Sequence, residues 1–494
     1  MKKYLLCLCL AICVLAIAAV PYRTLSQKRG LTTELDSPLL PANPFVYDIF
    51  AQLLPPQFFM DSSIFGNFYF PNGDTILPIS VPGHVETLGR VLFYDKLLSI
   101  NNSVSCATCH IQSAAFADTL ALSIGFDGSL GERNSIGLSN VFSPSMRHFF
   151  WDAGTDTMST QIKLALESEV EMGMNQDSLV ARIQNTSFYP QLYADAFGSP
   201  NVTIDRTVGA IRSFVLSMFT MRSKYDIGRT GVDSQIDNFA NFSSLENQGK
   251  DLFFGIMGEA KCIQCHSGEM FNSREVASNG LDVNPTDLGF GAISNLAKDH
   301  GTFRAPSLRN IGLTAPYMHD GRFETLEEVV EHYSTGVQAH PNLHPLLKDQ
   351  QSQLPVQLNL SDTEKQALVA FLHTLTDSSF IRDVRWSNPF DPNPDVDTVD
   401  VNSFPLTIDP EPLAAGLLVS PNPSRQSMLF EIESGGEGVQ KLQLFNLSGQ
   451  VVFQKAFVGE PVRWEHKQLG VPAGIYLARL ETAGQVFVKK VQVE

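Results

Sequence analysis

Positive charge is scarce in this chain. Across 494 residues, 35 Lys and Arg stand against 52 Asp and Glu, a formal net charge of −17. Nucleic-acid binding needs a basic surface to neutralise phosphates, so this balance argues against a nucleic-acid partner. Beyond the N-terminus there is also no apolar run near the ~20 residues that span a bilayer as a helix. No transmembrane helix is therefore expected in the mature chain. Charged residues make up only 18% and apolar residues 43%, which excludes an intrinsically disordered protein. Cysteine is sparse too, with seven in all. Three of these, Cys7, Cys9 and Cys13, lie in the first apolar stretch.

That stretch runs from Tyr4 to Val20 behind Lys2 and Lys3, with small residues at Ala16, Ala18 and Ala19. It has the charged, apolar and small-residue regions of a Sec-type signal peptide, assigned to residues 1–20. A lipoprotein signal would need a small residue before the acceptor cysteine, and Ile12 precedes Cys13.

The four remaining cysteines form Cys106-Ala107-Thr108-Cys109-His110 and Cys262-Ile263-Gln264-Cys265-His266. Two disulfides would suit an exported chain but give no reason for a His after each pair. A zinc site would usually bring its pairs much closer than the 152 residues between Cys109 and Cys262. Covalent haem explains the pattern. Two thiols three positions apart can form thioethers to the haem vinyl groups, and the adjacent His then serves as iron ligand. The expected cofactors are two haem c groups, held by Cys106, Cys109, Cys262 and Cys265, with His110 and His266 on the irons.

Leu88-Gly89-Arg90-Val91-Leu92-Phe93 precedes the first motif and Gln248-Gly249-Lys250-Asp251-Leu252-Phe253 the second. Both read as short helices; the first has Val85, Leu88, Val91 and Leu92 on one face. A capping box, Ser243-x-x-Glu246, opens the second of these helices, and another, Ser361-x-x-Glu364, opens a further helix with Leu368, Phe371, Leu372 and Leu375 on one side. The fold class expected is mostly α, with two cytochrome c-like haem domains in tandem at 80–235 and 236–378. Seven Asp and five Pro then fall within 377–410, which reads as a linker over 379–414. From 415 to 494 the pattern changes to period two, around Asn446-Leu447-Ser448-Gly449 and in later segments at 461–465, 474–480 and 486–493. A small all-β sandwich is expected there.

The tail resembles the C-terminal type A sorting domain of the type IX secretion system of Bacteroidota. The resemblance rests on Ser420-Pro421-Asn422-Pro423, Leu444-Phe445-Asn446-Leu447-Ser448-Gly449, Pro472-Ala473-Gly474-Ile475-Tyr476 and the final Lys489-Lys490-Val491. It implies passage through the periplasm, engagement of the type IX machinery and a destination at the cell surface or outside the cell.

Residues 80–378 resemble the bacterial dihaem cytochrome c peroxidase and MauG family. The carriers are the first helix and haem motif, Arg133-Asn134, Phe150-Trp151-Asp152, Val170-Glu171-Met172-Gly173-Met174, Pro306-Ser307-Leu308-Arg309-Asn310 and Thr314-Ala315-Pro316-Tyr317-Met318-His319-Asp320-Gly321. The resemblance implies a peroxide site at the His110 haem, with Glu171 moving the proton and Gln161 orienting the peroxide. It implies an electron relay through Trp151, and a calcium ion held by Asn134 and the backbone oxygens of Thr314 and Pro316.

Two departures from the family pattern matter. Where many peroxidases carry a His that caps the first haem, this chain has Phe126, which cannot ligate iron, so an open first site is expected; His148 is the weaker candidate for a cap. Where they carry a Met on the second haem, this chain has Tyr333. Leu326, Val329, Val330 and Tyr333 share one helical face, while His332 points away. A phenolate there should lower the potential of the second haem.

The function expected is reduction of hydrogen peroxide with electrons from a small c-type cytochrome or another redox protein, in a chain that the family suggests forms a homodimer. The alternatives are a MauG-like oxidase acting on a protein or organic substrate, and a non-catalytic dihaem electron carrier.

Overall fold

The computed structural model describes residues 35–41, 44, 45, 47, 83–141, 148–394 apart from 259 and 274, and most of 417–493. The signal-peptide segment 1–20 and residues 395–414 of the expected linker lie outside them. The described part up to 394 is mostly helical, and two antiparallel sheets follow.

Helix α1 spans His84–Tyr94 and buries Val85, Leu88, Val91, Leu92 and Phe93. It stops where Asp95 turns extended and its carboxylate accepts the Leu97 N–H at 2.8 Å. Helix α2 is Met158–Glu167 and α3 is Ile204–Leu216. The Thr203 hydroxyl caps α3 by accepting the Arg206 N–H, and Asp205 sits in its first turn, where the helix dipole favours an acid. α1 and α3 cross at Gly89. A Cβ on that glycine would stand 1.9 Å from the Ala210 carbonyl oxygen, so the two backbones touch. One turn on, Phe93 and Phe214 meet edge to face at 5.3 Å.

The second half repeats this joint. Helix α4 is Ser244–Phe254, opened by the Ser243/Glu246 capping box. Helix α5 is Leu326–Glu331, and α6 is Asp362–His373, opened by the Ser361/Glu364 box. α4 and α6 cross at Gly249, where a Cβ would lie 1.8 Å from the Ala367 oxygen. Phe253 and Phe371 follow at 5.0 Å. In both joints a Gly and then a Phe four residues later face an Ala and then a Phe four residues later. One core gathers around Leu88, Phe93, Phe116 and Phe214, and the other around Tyr225, Phe253, Phe271 and Phe371.

Residues 379–394 differ from the linker expected there. Phe380, Trp386 and Phe390 are buried in the first core. The Trp386 indole donates to Ser217 Oγ at 3.1 Å, and Arg90 donates to the Ser387 carbonyl at 2.7 Å. The chain thus returns from the second half to close the first. Asp and Pro content misled here because the three large apolar residues, spaced singly, gave no periodic signal.

In the tail, β1 (Leu417–Ser420), β2 (Met428–Ile432) and β5 (Val462–Trp464) form one sheet in the order β1-β2-β5. β3 (Gln440–Asn446), β4 (Val451–Phe457), β6 (Gly474–Glu481) and β7 (Val486–Val493) form the other, in the order β4-β3-β6-β7. Alternating residues from both sheets, among them Phe430, Leu444, Trp464, Ala478 and Val491, share one core, which makes a β-sandwich. The turn 447–450 lies outside the described residues.

Gly249→Ala should destabilise the protein. Alanine gains about 1 kcal/mol of helix propensity, but its methyl meets a backbone oxygen that cannot rotate away, and overpacking costs about 3 kcal/mol at such a contact. A net loss of about 2 kcal/mol is expected in denaturant titration. Gly231→Ala, whose Cβ would have its nearest neighbour at 3.6 Å, is the control and should stay near wild type.

Candidate haem sites and the path between them

The first motif is a single helical turn, Cys106–Cys109, which a capping box between Ser105 and Thr108 holds at its start. The turn delivers both thiols and, at its end, the His110 ring. His110 Nδ1 lies 2.8 Å from the Phe116 carbonyl. A carbonyl only accepts, so Nδ1 carries the proton and Nε2 keeps its lone pair for a metal. Burial lowers the pKa of His110, which keeps the ring neutral. The backbone makes this contact possible: Ala115 and Phe116 both have positive φ, at 52° and 60°, and turn the chain back under the ring.

The second motif repeats the device on the short turn Cys262–Gln264. His266 Nδ1 donates to the Phe271 carbonyl at 3.2 Å, Phe271 has a φ of 49°, and burial again lowers the imidazole pKa. All four cysteines are free thiols. Cys106 packs on the first core and Cys262 on the second, so the pairs do not converge on one zinc ion.

Glu171 does not continue α2, which ends at Glu167; it sits in the turn Ser168–Gly173. Its N–H donates to the Ser168 carbonyl at 3.2 Å, and Gly173 closes the turn with a φ of 61°. Glu171 is exposed, yet enough protein surrounds its carboxyl to push its pKa up to about 7. Burial, the paired thiol and the nearby Glu171 carboxylate raise Cys106 to about 12. Cys109, raised to about 11 mainly by burial, also feels Glu171. The acid therefore lies near enough to the first motif to act on both of its thiols.

Phe126 is bound to the same turn. Its N–H donates to the Glu171 carbonyl at 3.0 Å, and its ring lies where a Gly173 side chain would be, 2.6 Å from an ideal Cβ. Gln161 is half-buried on α2, and its amide has no hydrogen-bond partner among the described residues. The structure brings Glu171 near the motif, and no hydrogen bond among the described residues joins Glu171 to Gln161. His148 is turned to Asp156, at 2.5 Å.

Trp151 stands between the halves. Its indole donates to the Asn134 carbonyl at 2.7 Å, and its own carbonyl accepts the Arg304 N–H at 2.9 Å. Arg133 bonds Asp152 at 2.5 Å and Asp287 at 2.7 Å, so the residues beside Asn134 and Trp151 are locked together. Trp151 also lines a cavity of about 590 Å³ whose wall includes Cys262, Cys265, His266, Tyr333 and Met318. Asn134, Thr314 and Pro316 line it as well. Asn134 Nδ2 donates to the Leu120 carbonyl, which leaves Oδ1 as its ligand-type atom.

Tyr333 reaches the cavity by a route the helical count did not foresee. After α5 the chain widens into a π-turn, His332–Gly336. His332 Nε2 donates to the Asn279 carbonyl at 3.1 Å, while the Asn279 amide lies 3.5 Å from both the Tyr333 hydroxyl and the Met318 sulfur. Burial pushes the Tyr333 phenol up to about 12.

These residues fit a haem: two thiols, a neutral imidazole with its far nitrogen free, apolar walls from Leu326, Val330 and Leu372, and an oxygen donor on the same cavity. Asn279, Arg304 and the carbonyls of Phe116 and Phe271 were not singled out from sequence. Backbone acceptors carry no residue signature, and Arg304 and Asn279 lie outside the recognised motifs.

Residues 84–233 match the family model for di-haem cytochrome c peroxidase, and residues 418–494 match that for a secretion system C-terminal sorting domain. The methylamine utilization protein MauG of Methylorubrum extorquens is 32% identical over 291 residues, 58% of this chain and 77% of that protein. The cytochrome c551 peroxidase of Nitrosomonas europaea is 31% identical over 295 residues, covering 58% and 79%. Among solved structures, a MauG-like protein associated with microbial copper homeostasis aligns with a TM-score of 0.55 and 32% identity, over 66% of this chain and 99% of that one.

Phe126→His would set an imidazole against the Glu171 turn. The ferric first haem should then change from high-spin to low-spin in electron paramagnetic resonance, with the second haem unaltered. A first-haem signal that stays high-spin would show that Phe126 does not face that iron.

Proposed function

The chain belongs to the di-haem cytochrome c peroxidase and MauG family, and on that footing we propose that it is an exported peroxidase reducing hydrogen peroxide at the His110 site with electrons entering through the His266 site. The observation that carries this reading is the Glu171 turn: its carbonyl holds the Phe126 N–H at 3.0 Å, and its carboxyl, pushed up to about 7 by burial, lies near enough to act on both thiols of the Cys106–Cys109 turn.

The two haems, when bound, supply the redox chemistry that accepts electrons and cleaves the O–O bond. The chain supplies the proton handling. Reduction of one peroxide consumes two electrons and two protons and yields two waters. Glu171 takes the proton from one peroxide oxygen and returns it to the other, which leaves as water. A group whose pKa lies near the working pH does both steps with little penalty. Gln161, half-buried on α2, orients the peroxide. Trp151 relays electrons, its indole fixed to the Asn134 carbonyl and its backbone to Arg304. His110 and His266 would present Nε2 to the irons, because their Nδ1 protons are committed to backbone carbonyls. Tyr333 would be the second ligand at the His266 site, and Asn134 with the Thr314 and Pro316 carbonyls would hold a calcium ion.

The sorting domain takes the chain by the type IX route to the cell surface. A small c-type cytochrome or another redox protein is the electron donor. One observation favours a second reading. Tyr333 as an anionic oxygen ligand would lower the second haem's potential and favour holding oxidising equivalents, as a MauG-like oxidase of a protein or organic substrate requires. A screen of donors consumed with hydrogen peroxide by the purified dihaem protein separates the two.

Glu171→Gln should lower peroxide-dependent turnover about 10²–10⁴-fold with both haems retained. The sign of the pH effect follows from the raised pKa. As a base Glu171 must be ionised, so wild-type turnover should rise through about pH 7 and level above it, and the variant should lose that inflection. A variant reacting with peroxide at the wild-type rate would move proton transfer elsewhere.

A further inference from the structure

We infer that Arg304 is the carboxylate-binding residue of the second haem site, and that the same residue ties the Trp151 segment to that haem. Arg304 is only 7% exposed. Its backbone N–H donates to the Trp151 carbonyl at 2.9 Å and its Nη1 to the Phe150 carbonyl at 3.1 Å, both neutral acceptors. Among the described residues no carboxylate forms an ion pair with it. The acid that acts on it, Asp152, is already bonded to Arg133 at 2.5 Å. Arg309, on the wall of the same cavity, shows the contrast: it pairs with Asp226 at 2.9 Å. Arg309 still keeps Nη2 buried without a hydrogen-bond partner.

A guanidinium withdrawn from water without a counter-charge is strongly disfavoured, and it cannot escape by losing its proton at neutral pH. Burial pulls Arg304 down only to about 10, where it remains a cation. Arg90 is held in the same way by Ser387 alone, but away from this cavity. Arg304 lines the cavity together with Cys262, Cys265 and His266, and an anion bound there would supply its counter-charge. A haem brings two carboxylates, carried on the edge away from the vinyl groups that the cysteines capture. A planar fork of N–H donors suits such a carboxylate, and the backbone of Arg304 is meanwhile bonded to Trp151. Arg304 is thus a positioning residue: it couples the charge of the haem edge to the segment that holds the indole between the sites.

The inference rests on a haem at Cys262 and Cys265, so the test begins with a haemochrome assay of the full-length holoprotein. One haem instead of two in the wild type would remove that premise, independently of Arg304. With two present, Arg304→Gln and Arg304→Lys are compared with wild type by redox titration of the second haem and by the propionate bending band in resonance Raman. Loss of the cation leaves the carboxylate uncompensated and favours the ferric state. Arg304→Gln should lower the potential by at least about 59 mV, a tenfold shift of a one-electron equilibrium. Arg304→Lys should recover most of the potential, while the Raman band moves in both variants because the fork is lost. If Arg304→Gln does not mature with haem, the band in Arg304→Lys decides. An unchanged band in a haem-loaded variant overturns the inference, even if the potential shifts, because the charge would then act without touching the carboxylate.

Discussion

Close approach of helix backbones, permitted by a missing side chain, is the constraint on which both sites depend. At Gly89 and at Gly249 an ideal Cβ would fall within 2 Å of a carbonyl oxygen on the crossing helix. That contact brings Phe93 onto Phe214 and Phe253 onto Phe371. It also sets how far each haem motif stands from its core. Phe116 touches Phe93, and Phe271 touches Phe253 and Phe371. These are the residues whose carbonyls orient His110 and His266. A small change at the helix crossing therefore reaches the motif histidine through one aromatic side chain and one backbone oxygen.

Burial does most of the electrostatic tuning. It keeps the two imidazoles neutral and places Glu171 near neutrality. Where charge must be kept inside, it is paired: Arg309 with Asp226, and Arg133 with Asp152 and Asp287. The second of these networks lies between the sites and fixes the Trp151 neighbourhood from both sides. Arg90 and Arg304 are the exceptions, both bonded to neutral acceptors, and of the two Arg304 is the one on the wall of the second cavity.

The tail is a separate structural idea. Its two sheets enclose Phe430, Leu444, Trp464 and Val491 in a core of their own. Its match to a sorting domain gives it a role in delivery instead of catalysis. The haem part and the tail meet different demands: one must hold cofactors in fixed relation, and the other must present a recognisable sandwich to an export machine.

Local chemistry was legible in the sequence. The two C-x-x-C-H motifs, the capping boxes at Ser243 and Ser361, the apolar face of α1 and the alternation after 415 depend on residues close in the chain, so their spacing alone carries the signal. The family resemblance added Glu171, Trp151 and Tyr333 as residues to examine. Tertiary structure decided the rest, because it depends on contacts between distant segments. The return of Phe380, Trp386 and Phe390 to the first core is one such contact, made by a stretch whose Asp and Pro content reads as linker. The π-turn that carries Tyr333 to the second cavity while His332 turns to Asn279 is another. Neither the backbone carbonyls that set the imidazole tautomers nor the buried cation at Arg304 has a signature in composition or period. A carbonyl is the same in every residue, and the need for a counter-charge exists only once folding has taken the guanidinium out of water.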